Sequence, residues 1–229
     1  MFRDDWLLSR GHSKLKSRLV EIALLLLLLT TASANQQVSL EQIERLEHTH
    51  AGNIKKRFAA WKKLIVNHRG QGVQLQLSKT NDFFNQFYFQ SDLELTGEAD
   101  YWKSPDELIV DGGGDCEDFA IAKYFTLLAM GVPMDRLRIT YVKAIRINQA
   151  HMVLTYYSKP NAEPLILDNL ESKILPASKR PDLYPIYSFN GESLWLAKQR
   201  EQDKKLGNSS GLSKWRRVIE RMKQLGILP

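Results

Sequence analysis

One cysteine, Cys116, is all the chain has in 229 residues. Without a second it cannot close an internal disulfide, so in an exported protein that thiol is either shielded or used chemically. The sequence also lacks an internal repeat and a nucleotide-binding glycine motif, which sets aside solenoids and dinucleotide-binding folds. Its apolar run from Ile22 to Leu29 is too short to cross a bilayer comfortably. Histidines are few, and His48, His50 and His68 form no i, i+4 pair of the kind that binds metal on a helix, so they read as surface residues.

Charge of one sign is not strongly in excess. Lys and Arg number 32 against 26 Asp and Glu. Arg3, Arg10, Lys14, Lys16 and Arg18 precede the apolar run, and Ala32-Ser33-Ala34 follows it, the layout of a secretory signal with an A-x-A cleavage site. Cleavage after Ala34 leaves 27 basic and 23 acidic residues. A net charge of +4 implies little about nucleic acid. The 43% hydrophobic composition suits one domain with a real core, here residues 35–229.

Helical patterning dominates the first part, about 39–90. Ser39 and Gln42 form a capping box ahead of Leu40, Ile43 and Leu46, and a break at Ala51-Gly52-Asn53 separates a second helix, Ile54 to Asn67. Its Phe58, Trp61, Leu64 and Ile65 share one face, leaving Lys55, Lys56, Lys62 and Lys63 as a solvated one. Lys79 to Tyr88 is expected to be another helix, and Leu108 to Val110 a short helix or strand. Trp102, before it, reads as core or as the wall of a cleft.

The period then changes to two. Leu137–Ala144, Ala150–Tyr157 and Pro164–Leu167 are expected as strands at hairpin-like separations, with Tyr184–Phe189 as an edge strand despite Pro185. A Gly-Asn-Ser-Ser-Gly linker leads to an amphipathic helix over 213–226, which either docks on its own domain or binds a membrane or partner. A small antiparallel sheet packed on a buried helix is an α+β layout with a catalytic core over about 100–190.

That buried helix follows Gly112-Gly113-Gly114-Asp115-Cys116-Glu117-Asp118. Asp115 reads as its N-cap and Asp118 as the N3 partner, so Cys116 falls in the first turn, where unpaired N–H groups and the macrodipole favour a thiolate. From Phe119 to Met130 only Lys123 is charged, and Gly131 and Pro133 end the run. His151 lies near the start of one strand and Asp168 at the end of the next. A cysteine at a helix start, a histidine and an aspartate on neighbouring strands supply the three roles of a thiol hydrolase: nucleophile, general base and then acid, and orienter of the ring.

The acids beside the thiol oppose it. A like charge about 6 Å from a thiolate costs on the order of 3 kcal/mol at an effective dielectric near 20, about two pKa units. Asp115, Glu117 and Asp118 either serve only to stabilise the helix start or hold a hard cation such as calcium.

The run G-G-D-C-E-D-F-A, the strand A-H-M-V-L and then L-I-L-D-N-L resemble, in order and spacing over about Asp100 to Leu170, the bacterial transglutaminase-like cysteine proteinases of the LapG type. The resemblance implies a papain-like, transglutaminase-like core. It puts the catalytic residues on Cys116, His151 and Asp168, and a calcium requirement on Asp115 and Glu117, with Asp118 an addition. It further implies a periplasmic, calcium-dependent endopeptidase that trims the N-terminal region of a large surface adhesin, disperses biofilm, and is sequestered by an inner-membrane cyclic-di-GMP receptor. Two other readings stay open on the same residues: amide transfer, as a transglutaminase or cell-wall amidase using the same thioester, and a non-enzymatic calcium-responsive binding protein.

Overall fold

Ser39 opens the first helix by accepting a hydrogen bond from Gln42 N, as the capping pattern requires. The computed structural model describes residues 38–91, 100–196 and 204–228; the expected signal segment, 1–34, lies outside them. Helices α1 (Leu40–Thr49) and α2 (Gly52–His68) follow. Helix α2 buries Phe58, Trp61, Leu64 and Ile65 as its periodicity dictates. Lys62 turns back to Glu47 at 2.7 Å.

Helix α3 spans Val73–Phe84, beginning and ending earlier than the expected 79–88. Its start is disguised because Gln76 looks like a surface residue but is core. Its buried amide donates to His68 O and Met130 O, so the polar side chain costs little when buried. At the other end Tyr88–Phe89 leave the helix as β1, which pairs in parallel with β2, Gly113–Gly114. Between them α4 (Pro105–Asp111) is helical, fixed by a Ser104–Glu107 capping box and Pro105 in the first turn. Gly112 ends it at φ +76°, a conformation for which glycine is the default residue.

Helix α5 (Cys116–Ala129) is buried almost all round. It packs on α3 and α4 and on the sheet strands β3 (Leu137–Ala144) and β4 (Gln149–Tyr156). The remaining strands are β5 (Leu165–Leu167), β6 (Leu175–Pro176), β7 (Leu183–Phe189), β8 (Leu194–Leu196) and β9 (Lys204–Gly207). They form a seven-stranded antiparallel sheet in the order β6-β5-β4-β3-β7-β8-β9. The architecture is α+β.

Strand β7 corrects the edge-strand expectation, since it lies between β3 and β8. Pro185 is tolerated inside the sheet because the register shifts there: Tyr141 faces Tyr187 while Val142 faces Pro185, so Ile186 is the extra residue of a bulge. The anticipated linker is likewise partly strand, with β9 pairing on β8.

The last helix, α6 (Ser213–Gln224), docks on its own domain. Trp215 is buried, stacked on Phe125 at 5.5 Å between ring centres, with edges of Tyr124 and Phe189 against it. Arg221 holds Glu107 at 3.1 Å and donates to the carbonyl of Trp102. Among the described residues no helix is long and apolar enough to cross a membrane. Trp215→Ala is expected to destabilise the fold by about 3–5 kcal/mol, the usual cost of deleting a large buried aromatic, measurable as an unfolding midpoint shift in urea.

Candidate active site

Hydrogen bonds centred on Asp118 fix the turn that carries the thiol. Asp115 and Asp118 form a reciprocal capping box, with Asp118 Oδ2 accepting from Asp115 N at 3.1 Å. Asp118 Oδ1 accepts from Lys103 N at 2.7 Å, and Lys103 Nζ lies 3.4 Å from Oδ2, both side chains buried. The turn leaves no room for substitution at Gly114: a Cβ there would lie 2.4 Å from Asp118 Oδ2 and 2.9 Å from Leu108.

Cys116 thus opens α5 beside β4, at a cavity of about 550 Å³. Trp102, Tyr141 and Tyr187 supply aromatic walls, and Cys116, Glu117 and His151 line the same space. Trp102 is both core and wall, stacking on Phe189 at 5.8 Å. Burial pushes the Cys116 thiol well above its ordinary range, the Glu117 carboxylate adds to the rise, and the Met152 backbone opposes it. In this arrangement Sγ–H donates to Glu117 Oε2 at 3.1 Å. Burial also raises the Glu117 carboxyl, against the lowering effect of the Cys116 hydrogen bond.

His151, the third residue of β4, is buried, and its Nε2 lies 2.7 Å from Asp168 Oδ1. Asp168 directly follows β5, which pairs with β4 through Leu154 and Leu167. Burial alone would raise the Asp168 carboxyl. The His151 hydrogen bond and charge, the Leu170 N–H and Arg180 overcome this and hold it down at about 2. An ionised carboxylate only accepts, so Nε2 carries the ring proton and Nδ1 the lone pair when the imidazole is neutral. Arg180, for which the sequence offered no signal, completes the set with Nη2 2.7 Å from Asp168 Oδ2. Lys123, the only charged residue from Phe119 to Met130, lies two turns along α5 from Cys116; burial lowers it to about 7, with Asp168 opposing.

Residues 60–201 match the model of the bacterial transglutaminase-like cysteine proteinases. The chain belongs to that family. As a transglutaminase-like cysteine proteinase it aligns with solved structures of LapG from Legionella pneumophila. An EGTA-treated form is 56% identical, covers 82% of this chain and 99% of that one, and superposes with a TM-score of 0.75. A calcium-bound form is 56% identical, with 81% and 99% covered and a TM-score of 0.73. No curated protein sequence matches the chain. The fold is the transglutaminase-like one, and the activity is that of a cysteine protease.

The donor set of this proteinase suits a hard cation in part. Ligand atoms of Asp115, Cys116 and Glu117 lie within 4.8 Å of one another. The two carboxylates suit calcium, whereas the sulfur does not. Glu117 is a buried acid raised by desolvation, the condition a bound cation relieves. Asp118, the other expected ligand, is not in that cluster, because Lys103 and the Asp115 N–H already occupy its oxygens.

The Asp168 carboxyl also links stability to pH. Its folded-state value is depressed from 3.8 to about 2, so its contribution is complete above pH 4 and is lost as pH falls through 2. The shift is worth on the order of 2 kcal/mol. Asp168→Asn should therefore flatten the fall in melting temperature between pH 4 and 2, read by differential scanning calorimetry.

Proposed function

We propose that this protease cuts its substrate with Cys116 as nucleophile, His151 as general base and then acid, and Asp168 as orienter of the ring. The observation that carries the reading is the 2.7 Å His151–Asp168 contact beside a cavity that also holds the thiol at the start of α5. With Nε2 committed to Asp168, Nδ1 takes the proton from Sγ, and the sulfur adds to the scissile carbonyl carbon. Backbone N–H groups of the first turn of α5 favour the negative charge that develops on the carbonyl oxygen. The imidazolium then gives its proton to the leaving amine, a thioester forms, and water activated by the same nitrogen hydrolyses it.

The walls of Trp102, Tyr141 and Tyr187 suit a slender substrate segment of small side chains. The substrate we assign is the N-terminal region of a large surface adhesin, whose cleavage releases it and disperses biofilm. Export by the N-terminal segment makes the enzyme periplasmic, within reach of the periplasmic domain of an inner-membrane cyclic-di-GMP receptor that sequesters it. Support for these assignments is the 56% identity to LapG together with the secretory layout of residues 1–34. The test is cleavage of an adhesin N-terminal fragment by the purified mature chain, seen on a gel. Cys116→Ala is expected to abolish it, and retained cleavage would overturn the role of the thiol.

Calcium is the cofactor we assign, held by Asp115 and Glu117. When bound, it supplies positive charge that offsets the two carboxylates beside the thiol. The calcium-bound form of the Legionella protein supports the assignment. Excess EGTA should lower both the cleavage rate and the melting temperature. Glu117→Gln should reduce the rate about 10- to 100-fold while Cys116 still titrates as one thiol in denaturant. Unchanged rate and melting temperature under chelation would sink the calcium assignment.

A further inference from the structure

Asp168 accepts from three donors, two through one oxygen and one through the other. Oδ1 accepts from His151 Nε2 at 2.7 Å and from Leu170 N at 3.0 Å. Oδ2 accepts from Arg180 Nη2 at 2.7 Å. Arg180 in turn grips Asp182, with Nε 3.1 Å from one carboxylate oxygen and Nη2 2.9 Å from the other. Its side chain is 4% exposed and that of Asp168 is fully buried.

The backbone under this clamp is tied down. Arg180 follows a 3₁₀ turn, Ala177–Lys179, donating from its N–H to Ala177 O and accepting from Leu183 N at the start of β7. Asp182 O accepts from Ile145 N, in the connection between β3 and β4. A rigid two-carboxylate fork therefore joins the end of β5, which carries Asp168, to the entry of β7. We propose that Arg180 is a positioning residue of the catalytic apparatus: it fixes the rotation of the Asp168 carboxylate so that Oδ1 faces His151 and the imidazole presents Nδ1 to Cys116.

A fork is needed because one carboxylate oxygen has to be withdrawn from competition. A freely rotating carboxylate offers His151 either oxygen, and the ring follows it. Guanidinium, planar and permanently charged, holds two carboxylates in fixed directions, which a single ammonium cannot. Lys123, the other cation facing Asp168, is buried in α5 and does not replace it: its influence on Asp168 is one of charge. Arg146 reaches only Asp182, at 3.5 Å, and is largely exposed.

This inference rests on the role given to His151 above, and two readouts keep the two apart. The first is kcat and KM per active thiol for Arg180→Met on the adhesin fragment. Loss of orientation should lower kcat about tenfold or more, within the worth of a general base, with KM within about twofold. The second needs no substrate. In ¹⁵N-histidine-labelled protein the Nε2–H of His151, assigned by its absence in His151→Gln, should resonate far downfield in the wild type and move or broaden in Arg180→Met.

Arg180→Lys keeps charge without the fork and should fall between the two. Arg146→Ala should match the wild type. A wild-type kcat and a wild-type resonance in Arg180→Met overturn the proposal, as does a loss confined to the fraction of folded enzyme. Where Arg180→Met does not fold, Arg180→Lys carries the test, and wild-type values in it overturn the need for a fork. If the wild type does not cleave the adhesin fragment yet the resonance moves in Arg180→Met, the substrate assignment fails and the positioning of Asp168 stands.

Discussion

The carboxylate of Asp118 is the hub on which the rest of the site turns. It is fully buried, and it closes the first turn of α5 while receiving both the backbone N–H and the ammonium of Lys103. A buried ion pair gains little over an apolar packing of the same volume, but losing one partner strands the other, at several kcal/mol. What this one provides is location. It ties the segment before α4, the glycine turn and the start of α5 to a single point, with Gly114 forced by the approach of Asp118 itself. The thiol is placed because that point is fixed.

Around the hub, charge is distributed unevenly. Asp118 and Asp168 each have a cation of their own, Lys103 and Arg180. Glu117 pairs with no cation among the described residues and accepts a hydrogen bond from the Cys116 thiol instead. Three acids adjacent in sequence or function are therefore not equivalent. One builds the turn, one is hydrogen-bonded to the His151 ring, and one stands beside the Cys116 thiol with no cation paired to it among the described residues.

Much of this was legible in the residues. The capping pair Asp115 and Asp118, the apolar helix after Cys116 and the docked face of α6 are local patterns, and local patterns survive into the fold. His151 and Asp168 could be paired in advance because hairpin-like spacings leave few ways for the strands to neighbour one another. What escaped was polar and long-range. Gln76 is core because two carbonyls from other elements receive it. Pro185 argued for an edge, and only the shift against Tyr141 and Val142 makes an interior place tolerable. Arg180 sits in a turn-like run whose meaning depends on Asp168, twelve residues back. Asp118 looked like a free ligand because nothing in the sequence declares Lys103 buried.

Helix α6 gives the cleft an order of assembly. Trp102 walls the cavity, and its carbonyl is held by Arg221 while its ring partner Phe189 is braced by Trp215. Both supports come from α6, which follows Cys116, His151 and Asp168 in the chain. Cys116, His151 and Asp168 all emerge earlier, yet the Trp102 wall of the cavity is propped only afterwards. A chain that folds from its N-terminus onward carries its thiol through synthesis without a finished cleft, and the cleft is completed with α6 rather than with the helix that bears Cys116.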